Sequence, residues 1–237
     1  MQAPGALSPD RKWRWNGAAW VPAWSRPYAS PRARAIMTQL CLGMTVAALV
    51  LVGLAEVANA VIFDAEHPDD NAEELISRVV ISSIVLWALV DLATSIPFAM
   101  WCHRVYRNLP ALGAQGVRQS PAWAAGWWFI PFANLWMPLQ TLLEASQASE
   151  ARTPAGAASP PVLMGVWWGA WLISWILINV WARMPVSTEG QVVAAAEFGQ
   201  LVVLVRGVAA ALAITVVFAL TRKQDAAFRG LQAAAAN

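Results

Sequence analysis

Residues 36–63 read IMTQLCLGMTVAALVLVGLAEVANAVIF, an apolar run of 28 residues in which Glu56 is the only charged side chain. A bilayer core of about 30 Å is crossed by about 20 helical residues. The run therefore predicts a retained transmembrane helix. Similar runs occupy residues 79–100, 162–182 and 198–220. We predict an all-α membrane protein with four transmembrane helices.

The composition supports this fold class. Hydrophobic residues make up 58% of the 237-residue chain and charged residues 13%, against roughly 45–50% and roughly 25% in average globular proteins. The mean hydropathy is +0.48. These values exclude a disordered chain, a disulfide-rich secreted module and a collagen-like repeat, and they disfavour a soluble enzyme. The net charge is only +2 and the basic residues are scattered, so we expect no nucleic-acid partner.

The apolar segment at residues 121–144 is interrupted. Ser120-Pro121 is a predicted helix start, with serine as the N-cap and proline at the first helical position. Pro131 and Pro138 then break the helix into halves too short to span a bilayer, and Asn134 between them can satisfy freed backbone groups. We predict a proline-broken re-entrant or interfacial helical segment, and a kinked fifth span is the alternative.

The positive charges favour four spans. Lysine and arginine collect on the cytoplasmic side of membrane proteins. The tail before residue 36 has six basic residues, residues 103–120 have three without an acid, and the tail after residue 220 has three, whereas residues 64–78 hold six acids and one arginine. Four spans place every basic segment on one side. We therefore expect a multi-pass protein of the bacterial inner (plasma) membrane with both termini in the cytoplasm.

Residues 1–35 are predicted to form a cytoplasmic hairpin and a linker. Trp13 and Trp15 alternate with basic residues, so their rings can share one strand face. Asn16-Gly17 favours a type I′ turn, and Trp20 lies across that turn. We expect a short β-hairpin held by this Trp cluster, followed by an extended linker rich in proline and arginine at residues 23–35. The membrane domain is expected over residues 36–225, with an Ala-rich tail at 226–237.

A block of residues around the broken segment carries a resemblance. The chain resembles the bacterial membrane family catalogued as domain of unknown function 4328, and the likeness extends loosely over residues 37–225. The hairpin is similar to short Trp-rich N-terminal modules of bacterial membrane proteins. The resemblance implies a multi-pass membrane fold and no known activity. The family-like residues are Trp101, Arg104, Asn108, Arg118, Ser120, Pro121, Trp127, Trp128, Pro131, Asn134 and Pro138.

Polar residues inside the spans form the candidate site: Glu56, Asp91, Asn134 and Arg206. A charge at mid-bilayer costs ~2.5–3.5 kcal/mol on insertion scales, so its presence suggests a role. Glu56 and Arg206 each lie about seven residues inside the outer end of a span, hence ~10 Å deep, and are expected to pair. Asp91 lies nearer the cytoplasmic face and Asn134. A structural ion pair and a proton or substrate pathway are both open interpretations.

No pattern indicates catalysis. Cys41, Cys102 and His103 lack the spacing of metal ligands, and His67 and His103 fall on opposite faces of the membrane. No phosphate-binding loop, dinucleotide loop or zinc-protease motif occurs. We therefore predict no catalytic residue, no metal and no cofactor.

The expected function is that of a non-enzymatic sensor or scaffold. Its partners would be the lipid bilayer and a cytoplasmic protein. A small transporter or channel that uses the intramembrane charges is the alternative, and a membrane enzyme is third. The sequence does not indicate the oligomeric state.

Overall fold

The computed structural model describes residues 5–15, 20–24, 26–63, 70–114, 116–150 and 161–236. Its helices are α1 (Arg32–Phe63), α2 (Asp70–Arg107), α3 (Pro121–Gly126), α4 (Met137–Glu150), α5 (Pro161–Trp181) and α6 (Glu189–Ala236), and its strands are β1 (Trp13–Trp15) and β2 (Trp20–Pro22). Helices α1, α2, α5 and α6 are long and apolar enough to cross a membrane. The predicted fold class, with four long apolar helices and a small N-terminal hairpin, is confirmed.

The two strands form an antiparallel hairpin. Trp15 pairs with Trp20, and Trp13 pairs with Pro22. The rings of Trp15 and Trp20 meet edge to face with centroids 5.7 Å apart, a geometry that aromatic pairs prefer. The Asn16-Gly17 turn lies outside the described residues. Leu7 also bridges Arg14, so the chain before β1 runs alongside the hairpin.

The long helices extend beyond the predicted spans. α6 has 48 residues, which corresponds to ~72 Å and exceeds what a bilayer core needs. The alanine run that we predicted to be a tail is helical through Ala236, because alanine has the highest helix propensity. α2 begins at Asp70 and continues through Pro97, whose carbonyl accepts a hydrogen bond of 3.0 Å from Thr38 Oγ1.

The segment between α3 and α4 is irregular where the prolines predict a break. α3 has 6 residues and α4 has 14, or ~9 and ~21 Å, so each is shorter than a ~30 Å bilayer core. Between them Phe132 adopts φ +64° and ψ −48°, and Ala133 N donates to Pro131 O at 2.8 Å. This is a γ-turn of the strained type with positive φ.

The chain folds as two compact units. We call residues 1–36, 98–164 and 217–237 the helix-end unit, and residues 37–97 and 165–216 the span unit. The core of the span unit forms around Leu49, Val52 and Trp87. The helix-end unit buries Trp101 and Tyr106 completely. It contains 13 of the lysines and arginines and 4 acids, whereas the span unit contains 3 and 10.

Candidate functional site

An ion pair joins α2 and α6 within the span unit. Arg206 Nη2 lies 2.8 Å from both carboxylate oxygens of Asp91, and Arg206 Nη1 donates to Ser174 Oγ on α5 at 3.4 Å. The side chain of Arg206 is 14% exposed and that of Asp91 is 33% exposed. The pair therefore links three of the four long helices through one guanidinium group.

The expected pairing of Glu56 with Arg206 is wrong. Glu56 is buried and its side chain hydrogen-bonds Asn59, one helical turn along α1. Among the described residues, the carboxylate paired with Arg206 is that of Asp91. The fourth candidate, Asn134, belongs to the helix-end unit, so the structure does not gather these four residues into one site.

The register of α1 against α6 explains the error. Gln200 Nε2 donates to Gly53 O at 3.0 Å, and Gln39 Nε2 donates to Ile214 O at 3.3 Å. Both contacts define the same antiparallel register, in which Ala47 lies opposite Arg206. Glu56 is nine residues further along α1, or ~14 Å away along the helix axis. The two residues lie at different depths because α6 begins at Glu189 and not at residue 198, so Arg206 is further from the start of its helix than the predicted span implies.

A groove of the span unit is apolar. It has a volume of about 450 Å³ and lies on one side of α1 and α2. Its walls contain neither Asp91 nor Arg206; the lining residues are Leu51, Leu54, Ala55, Ala58, Ile76, Val79, Ser82, Ser83 and Leu86. A leucine-rich wall of this kind suits contact with acyl chains and offers few groups to a polar solute.

The helix-end unit contains a polar network that the sequence analysis did not anticipate. Its centre is Asn108, which is buried just after α2. The Asn108 amide accepts a hydrogen bond from Ala29 N at 3.3 Å and donates to Ala29 O at 3.0 Å. It also donates to Gln224 Oε1 on α6 at 3.2 Å. One side chain thus ties the segment before α1 to the end of α2 and to α6.

Asp225 fixes the same segment from the other side. Its carboxylate accepts hydrogen bonds from Tyr28 Oη at 2.6 Å and from Arg32 Nε at 2.5 Å. The Tyr28 ring stacks on Phe228 with centroids 4.2 Å apart. Burial, reinforced by the Asp225 carboxylate, raises the pKa of Tyr28 above its ordinary value, so the phenol stays protonated and donates. We call residues 28–32 the strap.

The strap corrects the predicted linker. Residues 23–35 are predicted to be an extended linker. Residues 26–30 have no regular secondary structure, but Tyr28 and Ala29 are held by hydrogen bonds and α1 already begins at Arg32. The linker prediction is therefore wrong from Arg32 onward. Tyr28 and Ala29 are held because two buried polar side chains, Asp225 and Asn108, need partners.

Two further polar clusters hold α4 in the helix-end unit. Lys223 is completely buried, and its Nζ contacts Ser146 Oγ at 3.0 Å and Glu150 Oε2 at 3.2 Å. Tyr106 Oη donates to Glu144 Oε2 at 2.9 Å. A buried lysine is stable only where its charge is paired or hydrogen-bonded. The contacts of Lys223 therefore hold α4 against α6.

All eleven family-like residues fall in the helix-end unit. Trp101 is fully buried and its Nε1 donates to Thr221 Oγ1 at 3.0 Å. Arg118 N donates to Glu144 Oε1 at 3.0 Å. Trp127 Nε1 donates to Gln119 Oε1. Six others lie at the start of α3 or in the break between α3 and α4. Ser120 is the N-cap residue of α3 and Pro121 is its first residue. In the break, Trp128 contacts Phe98, Pro131 begins the γ-turn, Asn134 lies in a short 3-10 turn, and Pro138 is in the first turn of α4.

Comparison with known proteins yields one family. The family model described as Domain of unknown function (DUF4328) matches residues 64–222. No curated protein matches the chain, and no solved structure does.

Proposed function

The chain belongs to this family, and from that premise we propose that it is a non-enzymatic sensor or scaffold of the bacterial inner membrane. Its helix-end unit would face the cytoplasm and meet a protein partner there. The observation that carries the proposal is the strap, because it connects the end of α2 and the α6 residues Gln224 and Asp225 to the segment that bears the Trp hairpin.

Charge supports the orientation. The helix-end unit holds 13 basic residues, and the positive-inside rule assigns such a surplus to the cytoplasm. The described residues near both ends of the chain, 5–15 and 217–236, belong to this unit, as does the broken segment. The span unit has 3 basic residues and 10 acids, so it carries no surplus of positive charge.

Exposed aromatic side chains support an interfacial position for the broken segment. Trp123, Phe129 and Trp136 are each at least half exposed, and Phe132 is 77% exposed at the tip of the γ-turn. Tryptophan prefers the headgroup region of a bilayer. The opposite side of the segment is occupied by protein, since Leu142 and Ala145 of α4 are buried. We therefore favour a segment that lies on the membrane surface.

The strap supplies a route for signalling. Its partners Asn108, Gln224 and Asp225 lie at the end of α2 and on α6. A shift of either helix end would change the strap, and the hairpin that precedes it presents Trp13 and Trp20 with 37% of each side chain exposed. A partner protein that binds this aromatic surface would thus be coupled to the membrane helices.

Photocrosslinking in living cells tests this function. A photoreactive phenylalanine analogue at position 13 or 20 should give one discrete product of higher mass, because the hairpin is the proposed contact surface. The matched control is position 232, where Gln232 is exposed on α6 outside the hairpin. Equal products at position 232, or none at positions 13 and 20, would contradict the proposal. Asn108→Ala should reduce the hairpin product by releasing the strap.

A small transporter is the second candidate, favoured by the Asp91–Arg206 pair in the span unit. Buried charges in membrane helices often mark ion or proton pathways. Purified protein in liposomes distinguishes the two functions. The scaffold predicts that proton flux, measured with a trapped dye, equals that of empty vesicles. A flux that Asp91→Asn abolishes in a folded protein would establish the transporter instead.

A further inference from the structure

A cluster of basic side chains occupies the start of α1 and the end of α2. Arg34 Nη1 donates to Met100 O at 2.8 Å, which fixes the first turn of α1 against α2. His103, Arg104 and Arg107 follow within two turns, and the spacing of three and four residues places them on neighbouring positions of one helix surface. Burial first, and then the neighbouring Arg34, Arg107 and Arg104, lower the pKa of His103 below its ordinary value.

The four basic side chains of this cluster are partly buried. All four are half-buried, whereas Arg118, Arg222 and Arg229 of the same unit are exposed. The Nε atom of Arg104 is buried and, within the described part of the chain, has no hydrogen-bond partner. A buried donor without a partner is unfavourable, because it has lost its hydrogen bonds to water. The cluster therefore concentrates basic side chains around an unused donor, the Nε atom of Arg104.

The acids of the helix-end unit are engaged elsewhere. There are four of them. Glu144 accepts hydrogen bonds from Tyr106 and the Arg118 backbone, Glu150 binds Lys223, and Asp225 binds Tyr28 and Arg32. Asp10 is bound by Ser8 in the hairpin. The first turn of α1 contains no acid either.

An anion with several acceptor oxygens would both balance the positive charge of the cluster and accept a hydrogen bond from the unpaired Arg104 Nε atom. A phosphate group offers them in a compact form that arginine binds with paired N–H donors. Basic pockets at the cytoplasmic ends of membrane helices bind the headgroups of anionic lipids. We propose that Arg34, His103, Arg104 and Arg107 form a binding site for a phosphate group, of which an anionic lipid headgroup is the expected source. The proposal requires the membrane location and not the scaffold role, so its failure would leave that role untouched.

Thermal unfolding of the full-length protein in an uncharged detergent tests the site. Three probes are titrated at constant ionic strength: phosphatidylglycerol, phosphatidylcholine and inorganic phosphate. Phosphatidylglycerol should raise the unfolding temperature in a saturable way, because binding to the folded state stabilises it. Phosphatidylcholine should have little effect, since its headgroup is neutral overall. Stabilisation by inorganic phosphate alone would keep the site and identify a soluble source.

Variants with equal loss of charge decide whether the cluster is the site. Arg104→Gln with Arg107→Gln should weaken the apparent affinity for phosphatidylglycerol by about tenfold or more. Arg222→Gln with Arg229→Gln removes the same amount of charge from exposed positions. This double variant should change the apparent affinity for phosphatidylglycerol by less than about threefold. Equal losses in the two double variants, or no stabilisation by any phosphate compound, would overturn the proposal. If the first double variant does not fold, Arg34→Gln alone provides the comparison.

Discussion

Arg206→Met is expected to destabilise the protein more than the double change of Arg206→Met and Asp91→Asn. The single change leaves the Asp91 carboxylate among membrane helices without its guanidinium partner. Loss of one member of a buried pair costs ~3–5 kcal/mol in soluble proteins. The cost should be lower here, because Asp91 is 33% exposed and side chains near the bilayer can reach water. Thermal unfolding in detergent measures the three variants against the wild type.

A second cycle provides the control. Glu56→Gln combined with Arg206→Met should give additive losses, because Glu56 binds Asn59 and lies ~14 Å along α1 from the level of Arg206. Additivity is normal for sites that share no partner. Coupling between Glu56 and Arg206, with none between Asp91 and Arg206, would show that the register of α1 and α6 is wrong.

Asn108→Ala is expected to lower stability by roughly 1–3 kcal/mol for each buried group that loses its partner. The change removes two hydrogen bonds to Ala29 and one to the fully buried Gln224. Chymotrypsin should then cleave after Tyr28 faster than in the wild type, because the strap is released. Asn179→Ala removes a more exposed amide that bonds within its own helix and should change stability by less than about 0.5 kcal/mol. Equal effects of the two substitutions would contradict the strap.

Truncations separate the strap from the hairpin. Removing residues 1–24 should leave insertion and thermal stability nearly unchanged, since it spares Tyr28 and Ala29. Removing residues 1–30 should reproduce the loss seen in Asn108→Ala and add the loss of the Tyr28 stack on Phe228. A large loss from the shorter truncation would show that the hairpin itself supports the helix-end unit.

The sequence predicts those features that depend on local patterns. The length of the apolar runs is enough to predict the four helices. The alternating tryptophans predict the hairpin, and Pro131 and Pro138 predict the break. Pairing between helices depends instead on register, which one sequence does not contain. Asp91 on α2 and Arg206 on α6 are close enough to pair because both lie beside the middle of α1. The spacing of residues along the chain does not predict this register.

The polar network was missed for a different reason. The predicted last span ends at residue 220, so Lys223, Gln224 and Asp225 lie beyond the predicted helix. If the helix is continued, Leu220, Lys223, Gln224 and Ala227 fall at helical spacing on one face, and all four are fully buried. The alanines after residue 226 were the available signal, since they favour helix and not tail. Nothing local identifies Ala29 as the partner of Asn108.

Reporter fusions test the central claim, which is that four spans place both termini and the basic helix ends on the cytoplasmic side. Fusions are made after Asp70, after Leu112 and after Asn237, with one enzyme active only in the cytoplasm and one active only outside it. The account predicts a cytoplasmic signal at Leu112 and Asn237 and an external signal at Asp70. An external signal at Asn237 would contradict it, because the broken segment would then cross the membrane as a fifth span.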